Sequence, residues 1–441
     1  ETGGNLRRTL VSDFDTGIFS IPYVSAGDVY QYAFDANSFS QLGFPTSTSE
    51  PIKLVSLDLY AMDTWKVKSN VTLTLGVRST WNSDPLEGHS NFSELKNGSF
   101  FTLNHDVNVP YNQIINPHNK LLAYSTPLIE WQPRGSIAWS VKPNTVIRIG
   151  GGVFSDIFPA SLSDALLRNF PNDNILNTSF NTPAPGLASN FAIPGSGNGV
   201  PGSINNDALG NLGYSQQILA TGFGAGVPSC AASHAPTNCI PPNGFTTLPD
   251  GTFKYPVFYE WSAGVEQQIG NNWAMKVNYV GTHASELPYI VGPNGFQNIC
   301  QGCFSPYPYN SIPDARFQSV TQNSFGANSI YNALQASLEK RTSHGLTMNL
   351  NYTWSHCLDT LSNEGSVTGG FNPNTSFDSM TPGVPLSNLY GNCDYDIRNS
   401  LNGNYIYQLP SLVHGNKVLG AVVNGWQVSG DLFIHSGYPF S

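Results

Sequence analysis

The chain has 441 residues, of which only 11% are charged and 12% are aromatic, and its net charge is −10. An ordinary soluble domain carries about 25% charged residues, and an acidic chain without a basic cluster is excluded as a nucleic-acid binder. No apolar run is long enough for a transmembrane helix or a signal-peptide core. Low charge without such helices is typical of strands with lipid on one side and a polar lumen on the other. A large secreted β-protein fits the same composition.

Residues 54–80 predict the first β-hairpin. Apolar residues from Val55 to Ala61 alternate with polar ones, a polar turn follows at 66–70, and the alternation resumes from Val71 to Val77. Such period-2 alternation indicates two paired strands with one apolar and one polar face. Each arm approaches the ~9–11 residues of a transmembrane strand. Trp65, near the turn, is a residue type that collects at membrane interfaces.

The same pattern recurs along the chain, predicting further hairpins near 136–150, 260–281, 331–355 and 400–436. An additional strand is predicted from Asn5 to Phe14, and a short helix from Pro159 to Arg168. Turns within the hairpins are short, whereas the connections between hairpins run to tens of residues. Outer-membrane barrels place short turns in the periplasm and long loops outside. We therefore predict an all-β fold, an antiparallel transmembrane β-barrel with long extracellular loops.

The ten or eleven strands predicted here would form about half of a barrel with ~22 strands. We accordingly expect residues 1–441 to be one outer-membrane barrel segment, with no plug domain in this chain.

The six cysteines fall into three pairs that are close in sequence, which predicts disulfides and an oxidising compartment. The pairs are Cys230 with Cys239, Cys300 with Cys303, and Cys357 with Cys393. The Cys300-x-x-Cys303 spacing also suits a metal or redox site, but no second pair of ligands accompanies it. No metal site and no cofactor are predicted.

Charged residues on the polar faces of the hairpins are predicted to face the lumen, since an ionised group facing lipid is costly. They are Asp58, Arg78, Arg148, Glu266, Lys276 and Arg341. These charges are expected to pair with one another inside the barrel or to contact a plug. Direct contact with a ligand is the alternative. A second charged cluster, Asp394, Asp396 and Arg398, suits either Ca²⁺ binding or local pairing of aspartate with arginine.

Ligand binding, if present, is expected at the loop aromatics Phe100, Phe101, Tyr111, Tyr307, Tyr309, Phe371 and Tyr390. Aromatic loop tips suit capture of a carbohydrate or a peptide, and they equally suit packing between long loops. His105 and His118 are expected to be solvated polar residues. Because no catalytic motif is present, we expect no enzyme.

Several short motifs resemble a known family in their order and spacing. They are Tyr60-Ala-Met-Asp63-Thr-Trp65, Leu73 to Arg78, Gln132-Pro133-Arg134, Arg148-Ile-Gly150, Phe154-Ser-Asp156, Asn278-Tyr279-Val-Gly281, Tyr331-Asn-Ala-Leu334, Lys340-Arg341, Tyr352-Thr-Trp354-Ser355, Asp394-Tyr-Asp396-Ile-Arg398, Gly425-Trp426 and Ser436-Gly437. The chain resembles the barrel of TonB-dependent outer-membrane receptors, in particular the Oar-like branch, whose members carry a carboxypeptidase-regulatory-like domain. No plug and no TonB box is found, and Asn399 stands where members often have His.

This resemblance implies a location in the cell outer membrane, contact with its lipid, and energy from a TonB-type complex. It also implies a bulky ligand, such as an oligosaccharide, a peptide or a chelate, that is bound outside and admitted to the periplasm. Two alternatives stay open: a structural or adhesive surface barrel that transports nothing, and a secreted glycan-binding β-protein.

Overall fold

The computed structural model describes residues 2–16, 39–44, 47–88, 92–96, 99–121, 129–156, 166, 169–170, 174–179, 229, 231–233, 245–248, 254–294, 296–300, 303–306, 313–317, 320–360, 379–380, 386–412, 414–415 and 417–439. No helix in these ranges is long and apolar enough to cross a membrane. The predicted helix from Pro159 to Arg168 lies almost entirely outside them.

Strands make up most of the described structure. They are β1 Thr2–Thr16, β2 Phe39–Phe44, β3 Ser47–Lys68, β4 Val71–Asn82, β5 Leu86–Glu87, β6 Phe92–Leu95, β7 Ile115–His118, β8 Ile129–Lys142, β9 Thr145–Ser155, β10 Asn174–Ser179, β11 Phe245–Thr247, β12 Val257–Ile269, β13 Trp273–Val291, β14 Phe296–Cys300, β15 Cys303–Pro306, β16 Val320–Ser343, β17 Leu346–Asp359, β18 Ser379–Met380, β19 Gly391–Asn392, β20 Asn399–Gln408 and β21 Gln427–His435. Short helices span Phe100–Thr102, Tyr111–Ile114, Leu386–Leu389 and Lys417–Val423.

Eleven strands form one continuous antiparallel wall, in the order β1-β3-β4-β8-β9-β12-β13-β16-β17-β20-β21. The five predicted hairpins are all present as neighbours in this wall, and β1 contains the predicted strand from Asn5 to Phe14. The wall is therefore an up-and-down meander, as the alternating sequence predicts.

One row of outward-facing residues crosses eight strands of the wall from the short-turn end to the loop end. Each residue pairs directly with the next, and the row runs through Trp65, Leu73, Ile137, Ile149, Ala263, Tyr279, Leu334 and Trp354. The adjacent row on the other face holds small or polar residues at every position except Val280: Thr64, Thr74, Ser136, Gly150, Ser262, Val280, Ala333 and Ser355. A row that climbs in this way is the result of the strand tilt of a barrel.

All eight tryptophans of the sequence lie on the apolar face, in two belts. Trp65, Trp139, Trp273 and Trp426 lie near the short-turn end, and Trp81, Trp131, Trp261 and Trp354 lie near the loop end. Within β8, Trp131 and Trp139 are eight residues apart, or roughly 26 Å at ~3.3 Å per residue. At the strand tilt of ~35–45° in a membrane barrel, this corresponds to roughly 20 Å along the bilayer normal, comparable to the ~25 Å apolar band between the aromatic girdles.

Between the belts the apolar face is exposed. Leu59, Leu75, Ile149, Val265 and Met275 each retain more than 40% of their accessible surface. A contiguous apolar surface of this extent marks contact with another apolar phase, and lipid is the phase that the two aromatic belts bracket.

Three wall strands are much longer than a bilayer requires. β3 has 22 residues, β13 has 19 and β16 has 24, whereas ~9–11 residues suffice to cross. The extra length lies at the loop end, where β11 pairs with the start of β16 at Val320 to Gln322. These extensions connect the wall to a layer formed by the long loops.

The fifth hairpin departs from the short turns of the other four. Its strands β20 and β21 are joined by residues 409–426, which contain the helix Lys417–Val423. The other hairpins turn in two or three residues, at Ser69-Asn70, Pro143-Asn144, Gly270 to Asn272, and His344-Gly345.

Candidate functional site

The polar face of the wall carries ion pairs between neighbouring strands. On β3, Asp58 Oδ1 lies 2.8 Å from Arg78 Nη2 on β4, and it also accepts a hydrogen bond from Thr80 Oγ1 at 2.7 Å. On β12, Glu266 Oε1 lies 3.2 Å from Arg148 Nε and 3.7 Å from Lys276 Nζ. The structure thus brings five of the six predicted lumen charges into two clusters.

The sixth predicted lumen charge, Arg341, lies in the irregularity between Lys340 and Ser343 at the short-turn end of β16, where its backbone N–H donates to Asn272 O at 2.8 Å.

The cluster around Glu266 is the more hydrated of the two, since the Asp58 side chain of the other cluster is only 14% exposed. The side chains of Arg148 and Lys276 are 58% and 52% exposed, and Glu266 is 36% exposed. Ion pairs of this exposure contribute little to stability, about 0–1 kcal/mol each. They make the polar face a charged, hydrated surface, which is the chemistry of a lumen lining.

The long loops pack on one another at the other end of the wall. One hydrophobic cluster comprises Leu95, Phe100, Tyr111, Ile114, Ile115, Phe170, Phe245, Phe317 and Val320, and a second comprises Phe92, Leu121, Leu166, Leu248 and Tyr255. The members come from the connections β4–β8, β9–β12 and β13–β16. We call this assembly the loop layer. It has a core of its own and is built from three separate connections.

A fully buried ion pair holds two of these connections together. Asp314 and Arg316 side chains are both 0% exposed, and Arg316 Nε donates to Asp314 Oδ1 at 2.8 Å. Asn294 Nδ2 donates to the backbone O of Asp314 at 2.9 Å. Across the layer, the Tyr111 hydroxyl donates to Arg316 O, and His105 Nδ1 lies 3.0 Å from Asp314 Oδ2. A buried pair survives only when its remaining polar atoms are bonded in this way.

The sequence signal for this pair is weak but present. Asp314 and Arg316 are the only charged residues between Asn294 and Gln318. An isolated pair of opposite charges in an otherwise uncharged loop indicates mutual compensation, because a lone charge there would need water or another partner.

A disulfide between Cys357 and Cys393 joins the end of β17 to the segment before β20, which confirms the predicted pairing. The Cys357 N–H donates to Asp396 Oδ1 at 2.9 Å, while Asp396 Oδ2 lies 2.9 Å from Arg398 Nε and 3.1 Å from His356 Nδ1. We call this group the β17 clasp. Both oxygens of Asp396 are engaged, so local pairing, rather than Ca²⁺ binding, accounts for this aspartate.

Cys357, Cys393 and Asp359 form a group of metal-ligand residue types beside the β17 clasp. Sγ atoms of Cys357 and Cys393 and a carboxylate oxygen of Asp359 lie within 4.8 Å of one another. The two sulfurs are bonded to each other, however, and a metal requires thiolates. Cys300 and Cys303 are backbone neighbours across β14 and β15, and their side chains lie outside the described structure, as do Cys230 and Cys239.

The loop aromatics divide into two groups. Phe100 and Tyr111 are 2% and 0% exposed inside the loop-layer core, so the expectation of a ligand surface at these two is corrected: they are packing residues. Phe101 and Tyr390 are 53% and 45% exposed and remain candidates for contact. Tyr307, Tyr309 and Phe371 lie outside the described residues.

The two loop histidines are not simply solvated polar residues as expected, although the His105 side chain keeps 34% of its accessible surface. His118 Nε2 lies 3.0 Å from Glu94 Oε1, and both side chains are largely buried. His105 contacts the buried Asp314 and its ring centroid is 4.8 Å from that of Phe100. Both residues thus belong to the packing of the loop layer.

An antiparallel wall with a lipid-type face, a charged polar face, short turns at one end and large loops at the other defines a membrane β-barrel of the outer-membrane kind. A family described as an outer membrane beta barrel domain matches residues 7–441. The chain belongs to this family, and the protein resides in the outer membrane. Among curated proteins, none matches the chain in sequence.

Solved outer-membrane receptors share a distant likeness with the chain. The siderophore receptor PiuA from Acinetobacter baumannii is 10% identical, with a TM-score of 0.39 over 98% of this chain and 45% of that one. The alcaligin receptor FauA from Bordetella pertussis is 7% identical, with a TM-score of 0.35 over 90% of this chain and 42% of that one. The FrpB iron transporter from Neisseria meningitidis is 8% identical, with a TM-score of 0.32 over 83% and 42%. The chain spans less than half the length of these structures, and similarity this low carries no argument about ligands.

Proposed function

We propose that the chain forms part of the wall of a TonB-dependent receptor of the Oar-like branch, which binds a bulky ligand through its extracellular loop layer and admits it to the periplasm. The observation that carries the proposal is the asymmetry of the wall. Four of its five hairpins turn tightly at one end, while three connections at the other end build a layer with its own buried core. A receptor needs such a preformed outer surface above a polar lumen.

The width of the wall supports a large barrel. Within the described residues, β1 pairs only with β3, and β21 pairs only with β20, so eleven strands do not close on themselves. Barrels of ~22 strands enclose a lumen wide enough for a plug. The charged lumen face, with its exposed Arg148, Glu266 and Lys276, is suited to polar contacts with such a plug.

The test is energised uptake by cells that express the complete receptor. We would offer a panel of ferric chelates, oligosaccharides and peptides, and measure binding and accumulation with and without a protonophore. The proposal expects that one class binds, and that its accumulation falls to the leak level when the proton-motive force is collapsed. Accumulation that does not depend on that force would contradict it.

A matched pair of variants tests whether the exposed loop aromatics form the binding surface. Phe101→Ala together with Tyr390→Ala removes the two exposed loop aromatics, and we expect weaker binding. Leu412→Ala, at an even more exposed apolar residue in the β20–β21 connection at the opposite end of the wall, should leave binding unchanged.

A structural or adhesive surface protein is the second candidate. Its supporting observation is the close packing of the loop layer, in which Phe100 and Tyr111 are buried and Asp314 and Arg316 are paired at zero exposure. Binding to a surface without any energised uptake is the result that would favour it. The secreted β-protein alternative does not survive, because the chain belongs to an outer-membrane family.

A further inference from the structure

The segment that joins β20 to β21, residues 409–426, is unlike the other connections at the short-turn end. Four hairpins reverse within two or three residues, whereas this one contains the helix Lys417–Val423. Asn424 closes the segment, since its Oδ1 accepts the Leu412 N–H at 2.8 Å and its own N–H donates to Gly420 O at 2.9 Å. The connection is thus a folded element, whereas reversing the chain between two strands requires only a short turn.

Apolar side chains of this segment are exposed. Leu412, Val418 and Val422 are 73%, 79% and 64% exposed, and Leu419 is 51% exposed. On a helix, positions 418, 419 and 422 fall within an arc of about 100°, so they form one apolar face. Surfaces of this kind mark contact with another apolar phase.

The helix is tied to the lipid-facing surface of the wall through Trp426. Trp426, at the short-turn belt of tryptophans, donates from Nε1 to Val422 O at 2.7 Å, which ties the C-terminal end of the helix to an indole of that belt. Interfacial indoles lie at the level of the lipid headgroups. The helix is therefore held at the headgroup level.

The charge of the segment fits the same location. Residues 409–426 contain Lys417 and His414 but no aspartate or glutamate. Helices that lie in a membrane interface combine an apolar face of aliphatic and aromatic residues with basic residues that meet lipid phosphates.

We propose that residues 409–426 are an interfacial anchor whose helix lies in the periplasmic leaflet of the outer membrane, with its apolar face at the boundary between phospholipid headgroups and acyl chains. The occupant of this face is phospholipid. Such an anchor fixes the depth and rotation of the wall in the bilayer at its short-turn end. The inference concerns how the wall is seated, and it holds whether or not the barrel transports a ligand.

The test uses the complete protein in vesicles of phosphatidylethanolamine and phosphatidylglycerol. Single cysteines are introduced as Val418→Cys and Val422→Cys and labelled with a nitroxide, and Ser69→Cys in the first hairpin turn serves as the control at the same end. The unsubstituted protein measures any labelling of native cysteines. Heat-dependent gel mobility first shows that each variant is folded. Electron paramagnetic resonance then compares how strongly oxygen and a water-soluble nickel chelate each accelerate the spin relaxation of every label.

We expect the labels at 418 and 422 to respond more to oxygen than to the nickel chelate, and the label at 69 to respond in the opposite order. Labels at 418 and 422 that are as open to nickel as the label at 69 would overturn the anchor. Labels shielded from both relaxants would also overturn it, because they would show a protein surface, either a second copy or a periplasmic partner, in place of lipid.

Discussion

The indole ring of Trp261 on β12 occupies the space that a side chain at Gly281 on β13 would need. The two residues are direct cross-strand partners, and a Cβ built on Gly281 would overlap the ring atoms Nε1, Cε2 and Cζ2. Trp261 belongs to the loop-end belt, so this glycine lets a belt indole lie against the wall. A large side chain covering a cross-strand glycine is a recurrent way of fixing register in curved sheets.

Gly281→Ala is accordingly predicted to destabilise the barrel by about 1–3 kcal/mol, the usual range for overpacking. Urea titration of the refolded protein in detergent measures it. Gly437→Ala is the matched control, since a Cβ there meets nothing within 4 Å. If Trp261 is the cause, Trp261→Ala combined with Gly281→Ala will cost less than the sum of the two single changes; additivity would rule out this explanation.

Charge removal should be far more costly in the buried loop layer than on the hydrated lumen face. Asp314→Asn leaves Arg316 buried without its partner, and we expect about 3–5 kcal/mol of lost stability in the loop layer. Glu266→Gln on the hydrated lumen face should change stability by less than about 1 kcal/mol. Hydrogen exchange of the loop layer and limited proteolysis compare the two variants. Equal protection in both variants would show that the Asp314 pair is not structural.

Removal of the disulfide should loosen the β17 clasp without unfolding the wall. Cys357 and Cys393 are separated by 36 residues, and a disulfide closing a loop of that size contributes about 2–4 kcal/mol. Replacement of both by serine should therefore raise proteolysis between β17 and β20. The strands of the wall should keep their protection, because their ladders do not depend on this link. Loss of the barrel in the variant would contradict that division.

Alkaline pH should open the second hydrophobic cluster of the loop layer. Burial raises the pKa of Tyr255 to about 12; a hydrogen bond with Asn82 opposes this, and nearby carboxylates Glu130 and Asp84 add to it. A tyrosine ionises near pH 10 in the unfolded chain, so its contribution to stability is complete below pH 10 and declines as the pH rises from about 10 to about 12.

The decline should be on the order of 2 kcal/mol and should be absent in Tyr255→Phe. Protection of the loop layer against proteolysis, followed together with phenolate absorbance over that pH range, tests this. An identical alkaline transition in Tyr255→Phe would assign it to other groups.

The wall was predictable because its physics is local. Alternation from Val55 to Val77 requires only that neighbouring side chains point to opposite faces, and this placed all five hairpins. The tryptophan positions then indicate where the two membrane interfaces lie, since indole side chains on such a wall collect at the interfaces. The pairing of Cys357 with Cys393 followed from their proximity in sequence and the shared loop.

The loop layer was not predictable in the same way. Phe100 and Tyr111 pack with Phe317, which is more than 200 residues away, and no periodicity connects them. The contact of His105 with Asp314 was unpredictable for the same reason, because the two residues are also about 200 positions apart in the sequence. In these loops the fold depends on packing among three irregular connections, so exposed and buried aromatics look alike in sequence.

The central claim, a transmembrane β-barrel in the outer membrane, is tested most directly by one measurement on the expressed protein. Outer membranes are isolated, and the protein is run on SDS gels with and without boiling. The account predicts that the protein fractionates with outer membranes and that the unboiled form migrates faster, because a barrel resists SDS until it is heated. Recovery in the soluble fraction with no mobility difference on boiling would contradict it.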